Sequence, residues 1–186
     1  MAKEIKNINE LIAWSYANLA RAHAALEEGC AEYNIHHHMI RSKLYKGLVT
    51  GSMSMGTLFD DEKIKIHNGD YCSYCGSKEK IAVDHLIPRM KGGEDAGDNL
   101  IPACRICNSS KGGKDLMEWC EKKENFPPLL IFRRYLKIIY RYCKNNDLLD
   151  TTFDEAEKLE LPFNFKLIPR SLPSLKDICL LTSPPS

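Results

Sequence analysis

Residues 70–111 read DYCSYCGSKEKIAVDHLIPRMKGGEDAGDNLIPACRICNSSK. Two Cys-x-x-Cys pairs, Cys72/Cys75 and Cys104/Cys107, frame the stretch with 28 residues between them. One such turn sets two thiolates on one edge of a tetrahedron, and a second completes it at zinc–sulfur distances of about 2.3 Å. Four protein ligands leave no open position, so a zinc ion here is expected to be structural. Gly76 follows the first pair, where a tight turn needs a residue tolerant of positive φ. Between the pairs, residues 81–88 alternate and are rich in branched side chains, which predicts a strand ending at Pro88. Residues 91–98 are a glycine-rich loop, and 99–103 predict a short return strand. A helix is expected to start near the second cysteine pair and to carry Asn108 and Lys111. Zinc would then clamp the base of a hairpin to the start of a helix.

Outside this stretch the chain reads as helical, which gives an α+β, mostly helical fold: a zinc-stapled ββα core with helical extensions on both sides. The expected regions are a helical 1–69, a site domain over 70–124, and a basic helix with an irregular tail over 125–186. Residues 7–33 predict one long helix, with Asn7 and Glu10 as a capping box and Ile12, Leu19, Leu26 and Tyr33 recurring along one stripe. A shorter helix is expected over 36–46, with Met39, Ile40 and Leu44 inward and Gly47 as its stop. Residues 50–57 read as a small-residue loop. The consecutive His36, His37 and His38 point in different directions on a helix and are read as helix surface. Cys30, Cys120, Cys143 and Cys179 stand apart from the pairs and read as packing residues. The tail carries Pro162, Pro169, Pro173, Pro184 and Pro185 and is expected to be irregular and to wrap over the rest.

The 186 residues carry 44% hydrophobic and 27% charged residues with a net charge of +1, which excludes a strongly basic coat but not a local nucleic-acid patch. No run of 18 apolar residues exists, so no membrane-spanning helix is expected. The charged N-terminus does not read as a secretory signal, so the expected location is cytoplasmic, where cysteines serve as metal ligands or buried thiols.

The residues between the cysteine pairs carry the chemistry. Asp84-His85, Asn99 and Asn108, set in Cys-x-x-Cys…Asp-His-Leu-Ile-Pro-Arg…Gly-Gly…Asp-Asn-Leu…Cys-x-x-Cys-Asn-x-x-Lys, resemble the HNH endonuclease motif with its ββα-metal fold. The resemblance spans roughly 70–118, and it departs at the third motif position, which is Asn108 instead of His. Hydrolysing a phosphodiester needs a nucleophilic water, a base near neutral pKa and positive charge at the leaving oxygen. His85 suits the base. Asp84 and Asn108 would hold one Mg²⁺ or Mn²⁺, the hard ion that suits a carboxylate with an amide oxygen. The resemblance implies that Asn99 orients His85, through side chain or backbone.

Residues 72–124 hold nine Lys or Arg and nine Asp or Glu, so phosphate contacts must come from local placement. Arg89 is read as a clamp on the phosphate backbone, and Lys111, one helical turn after Asn108, as reaching the same phosphate. Arg133, Lys137 and Arg141 recur at i, i+4 and i+8 in a stretch without acids, one helical face offered to nucleic acid or to packing. The function expected is a metal-dependent endonuclease acting on DNA, with RNA also admissible, in phage defence or restriction. The alternatives are a non-catalytic zinc-finger module for nucleic acid or protein, and a nuclease subunit active only with a partner. The N-terminal helices are read as a surface for a protein partner or homodimer, or as an arm that positions DNA.

Overall fold

The computed structural model describes residues 4–56 and 70–181. Position 57 of the small-residue loop and the last two prolines of the tail lie outside the described residues. Helix α1 spans Ile8–Glu27. The Asn7 side chain accepts from the Glu10 amide at 2.9 Å, as the spacing predicts, but the Glu10 carboxylate reaches back to the Lys6 amide instead of closing the box on Asn7. Ile8, Leu11, Ile12, Leu19 and Ala22 form the buried stripe. The helix stops short of the predicted Tyr33 because Gly29 turns left-handed at φ +68, a conformation cheap for glycine alone. The Gly29 and Cys30 amides then fold back onto the carbonyls of Leu26 and Ala25.

Helix α2 spans Ile35–Val49 and runs through the expected stop at Gly47, which is buried against Met53. Tyr45 and Leu48 bury, whereas Met39, expected inward, is 62% exposed. The reading of all three histidines as surface needs correction at one position. His36 and His38 are exposed, but His37 is fully buried as the third residue of a capping box with Asn34.

Strands β1 (Ile81–His85) and β2 (Leu100–Cys104) pair antiparallel, from Ile81 opposite Cys104 to His85 opposite Leu100. Regular pairing thus ends at His85, before Pro88. A two-stranded hairpin is marginal alone. Here it is backed by α3 (Arg105–Lys111), which begins where β2 ends. Helices α4 (Leu116–Lys122), α5 (Leu129–Asn145) and the short α6 (Phe153–Ala156) follow. The fold is α+β and mostly helical. Ile131, Phe132, Tyr135, Leu136, Ile138 and Ile139 bury one side of α5, and the buried apolar side chains of α1, the hairpin and α5 belong to one cluster.

The tail supplies what the start of α5 lacks. Pro128 offers no side-chain cap, and the Leu129 and Leu130 amides donate instead to the carbonyls of Cys179 and Leu180 at 2.8 and 3.1 Å. Farther back, the Arg170 carbonyl accepts from the Trp14 indole of α1 at 2.8 Å. Among the described residues no helix is long and apolar enough to cross a membrane.

Asp115 caps α4 from a fully buried position. Its carboxylate accepts from the Met117 amide at 3.1 Å and from the Tyr135 hydroxyl of α5 at 3.0 Å, but Oδ1 has no hydrogen-bond partner among the described residues. Burial pushes its pKa up to about 6, against the pull of those two donors. A carboxyl whose folded pKa is raised stabilises the fold below its unfolded pKa, and that stability is lost as pH rises through about 6. Asp115→Asn should therefore be as stable as the parent or more so at pH 8, with a difference of roughly 2–3 kcal/mol that vanishes towards pH 4. Parallel thermal melts of parent and variant across pH check this, because effects shared by both proteins cancel in the comparison. A constant difference across that range would show that Asp115 is not held protonated.

Candidate functional site

The four cysteines of the two pairs come together, with their sulfurs all within 4.8 Å of one another. Cys75 Sγ and Cys104 Sγ are 3.8 Å apart, which is the edge length of a tetrahedron with zinc–sulfur bonds of about 2.3 Å. Local backbone sets this arrangement. The Gly76 amide bonds the Cys72 carbonyl, the Cys72 amide bonds the Ser77 carbonyl, and the Ser73 amide ties this knuckle to Pro102 of β2. At the second knuckle the Cys107 amide points at Cys104 Sγ at 3.4 Å. Burial raises the Cys107 and Cys75 thiols. At Cys104 burial is outweighed by the Cys107 amide and the neighbouring sulfurs, and the thiol is lowered. Deprotonated together, four sulfurs this close would need a cation among them, and the donor set fits zinc.

Asp84 and His85 leave the end of β1 in different directions. The Asp84 side chain goes inward and is 5% exposed. Its Oδ2 accepts from the Tyr74 hydroxyl at 2.6 Å and lies 3.2 Å from the Lys111 ammonium. Tyr74 sits between the first two cysteines and stacks edge-on against Trp119 of α4. The His85 side chain is 24% exposed, and its Nε2 lies 2.9 Å from Asp95 Oδ1 in the glycine-rich loop. A carboxylate is acceptor-only, so Nε2 carries the proton of this bond and the ring's lone pair is left on Nδ1.

Asn99 fixes the backbone beside His85. Its Oδ1 accepts from the Ile87 amide and its Nδ2 donates to the carbonyls of Ile87 and Glu94, all within 2.9 Å, while its own carbonyl accepts from the Leu86 amide. Gly93 is required in this loop by close approach: a Cβ there would fall 1.9 Å from the Ile87 carbonyl oxygen. Asn108, on α3, donates its amide nitrogen to the Val83 carbonyl at 3.0 Å, which commits the nitrogen and leaves the oxygen as the donor open to a cation. A carboxylate with an amide oxygen is a donor set that fits a hard divalent ion, and the Lys111 ammonium beside Asp84 marks the place as one where positive charge is stabilised.

The expected phosphate contacts divide. Arg89 is exposed in the turn after Pro88, and Arg133 is half-buried. Lys111 is 0% exposed and Lys137 is 6% exposed, which places both ammonium groups out of reach of a phosphate backbone in this arrangement. Arg141 is ion-paired with Asp98 and Glu94. Arg134, a buried neighbour in the same basic stretch, donates to the carbonyls of Asp98 and Gly97. The arginines of α5 thus grip the loop that carries Asp95. Sequence reasoning also missed Tyr74 and Asp95. Tyr74 carries one available signal, a hydroxyl inside a cysteine knuckle that is otherwise small or sulfur-bearing.

A second cluster of metal-ligating types, Glu28, Cys30 and His37, joins the end of α1 to the start of α2. His37 Nδ1 accepts from the Asn34 amide at 3.1 Å and Nε2 faces Glu28 Oε2 at 2.9 Å. The Nδ1 lone pair is therefore used, Nε2 holds the proton, and the imidazole has nothing left to give a metal. This cluster is a helix cap with its counter-charge.

Comparison with known proteins points to the same stretch of the chain. The HNH endonuclease family model matches residues 72–114. Over 77 residues, 39% of this chain, the sequence is 31% identical to the CRISPR-associated endonuclease Cas9 of Corynebacterium diphtheriae. That match covers 7% of the relative's length. No solved structure matches the chain.

Proposed function

We propose, taking residues 72–114 as an HNH endonuclease domain, that this protein hydrolyses phosphodiester bonds in DNA with His85 as general base. The observation that carries the reading is His85 itself: a partly exposed imidazole at the end of a strand, held at Nε2 by Asp95 with Nδ1 left to take a proton from water. Asp95 acts as a positioning residue, since a fixed tautomer is what a base of this kind needs. Asn99 supports it by locking Leu86, Ile87 and the loop backbone around the ring. Asp84 and Asn108 would hold Mg²⁺ or Mn²⁺, which when bound supplies charge for the departing 3′ oxygen. Arg89, exposed in the turn after Pro88, would meet the phosphate backbone, with Arg133 and Arg141 of α5 as further contacts. Zinc at Cys72, Cys75, Cys104 and Cys107 would be structural.

A supercoiled plasmid incubated with the full chain and Mg²⁺ or Mn²⁺ tests the proposal. Nicked or linear product is expected with the ions and none in excess chelator. A protein that binds DNA but leaves it supercoiled under every ion condition would support the reading of a non-catalytic zinc module instead. A role in phage defence or restriction would follow from activity on foreign DNA, and is proposed on the nuclease reading alone.

A further inference from the structure

The surroundings of Asp84 carry an inference that rests on the hydrolase reading and deepens its account of the cation. Asp84 is the one buried position of β1. A buried carboxylate needs a partner, and the chain supplies one from 27 residues away. Lys111 Nζ lies 3.4 Å from Asp84 Oδ1, 3.2 Å from Oδ2, and 2.5 Å from the His85 carbonyl. The three donors of this ammonium therefore face groups at the end of β1. Lys111 ends α3 one helical turn after Asn108, so the two share a face towards the strand.

We propose that Lys111 is a resident counter-ion of Asp84, which a divalent cation must displace before the site can load. An ammonium and a divalent ion cannot share one buried carboxylate without strong repulsion, since little water screens them there. The displaced ammonium has a destination. Asp115, four residues on and fully buried, holds an Oδ1 with no hydrogen-bond partner among the described residues, and its charge already acts on Lys111. Two buried carboxylates thus act on Lys111, one filled and one with an orphaned acceptor. Loading would move it from Asp84 towards Asp115 and release the carboxylate beside the base.

The test uses the zinc-loaded full chain and Mn²⁺ alone, read by loss of the free-ion magnetic resonance signal. Lys111→Met should bind Mn²⁺ about tenfold more tightly or better, because the apparent affinity of the parent is reduced by the fraction of molecules in which the ammonium blocks the site. Asp84→Asn should lose the site. If Lys111→Met does not fold, Lys111→Gln, which keeps a polar side chain but no charge, carries the same titration and should show the same gain. No gain in a folded Lys111→Met or Lys111→Gln overturns the counter-ion while leaving the hydrolase reading intact. Parent and variants that bind no Mn²⁺ overturn the counter-ion and the Asp84 cation site together.

Discussion

Cys72→Ser should collapse residues 70–111 and lower bound zinc from about one ion per chain to a small fraction of that. The size of the effect follows from how little else holds this unit. Its regular structure is two five-residue strands and a seven-residue helix. A helix of that length and a lone hairpin are each unstable in water. Structural zinc in small motifs contributes on the order of 10–16 kcal/mol, as large as the whole net stability of an ordinary domain. The hairpin and α3 also pack against the common apolar cluster, so a part of the loss is offset. A residual loss of about 5 kcal/mol would still lower the midpoint of thermal unfolding by roughly 10–20 °C in a chain of this size. Metal analysis of freshly purified protein and a melt of parent against variant measure both. Zinc-free protein that melts where the parent does would show that the four sulfurs are simply buried thiols.

His85→Ala should abolish cleavage with the fold left in place. Removal of a general base costs about 10²–10⁴ in rate, equivalent to roughly 3–5 kcal/mol of barrier. Little stability is at stake, because the ring is partly exposed and its hydrogen bond goes to an exposed loop carboxylate. Zinc content and melting temperature should match the parent, which separates lost chemistry from lost structure. Single-turnover plasmid cleavage at fixed Mg²⁺ gives the rate. A variant that cuts within a few-fold of the parent would remove His85 as base.

What the sequence made legible was short-range. The cysteine pairs, the cap at Asn7, the hairpin and the helix at the second pair each rest on residues within a few positions of one another, and each is found. The end of α1 was missed because Tyr33 continued the apolar stripe, whereas the left-handed turn at Gly29 decides the matter. Met39 was misplaced because α2 turns Tyr45 and Leu48 inward instead. The site divides in the same way. His85, Asp84, Asn99 and Asn108 are named by the resemblance to the HNH motif. The partners that set their behaviour come from ten residues away at Tyr74 and Asp95, and from 27 at Lys111, and only the folded chain brings them together. The basic stripe on α5 shows the limit most plainly: a sequence of cations without acids reads the same whether it faces solvent or the acidic loop of its own chain.

The carbonyls of Cys179 and Leu180 that finish the first turn of α5 place distant parts of the chain in mechanical series. The tail steadies the helix, the helix carries Arg134 and Arg141, the arginines grip residues 94–98, and that loop holds the proton partner of His85. A protease, a binding partner or a fusion that peels the tail away would therefore slacken the imidazole without touching it.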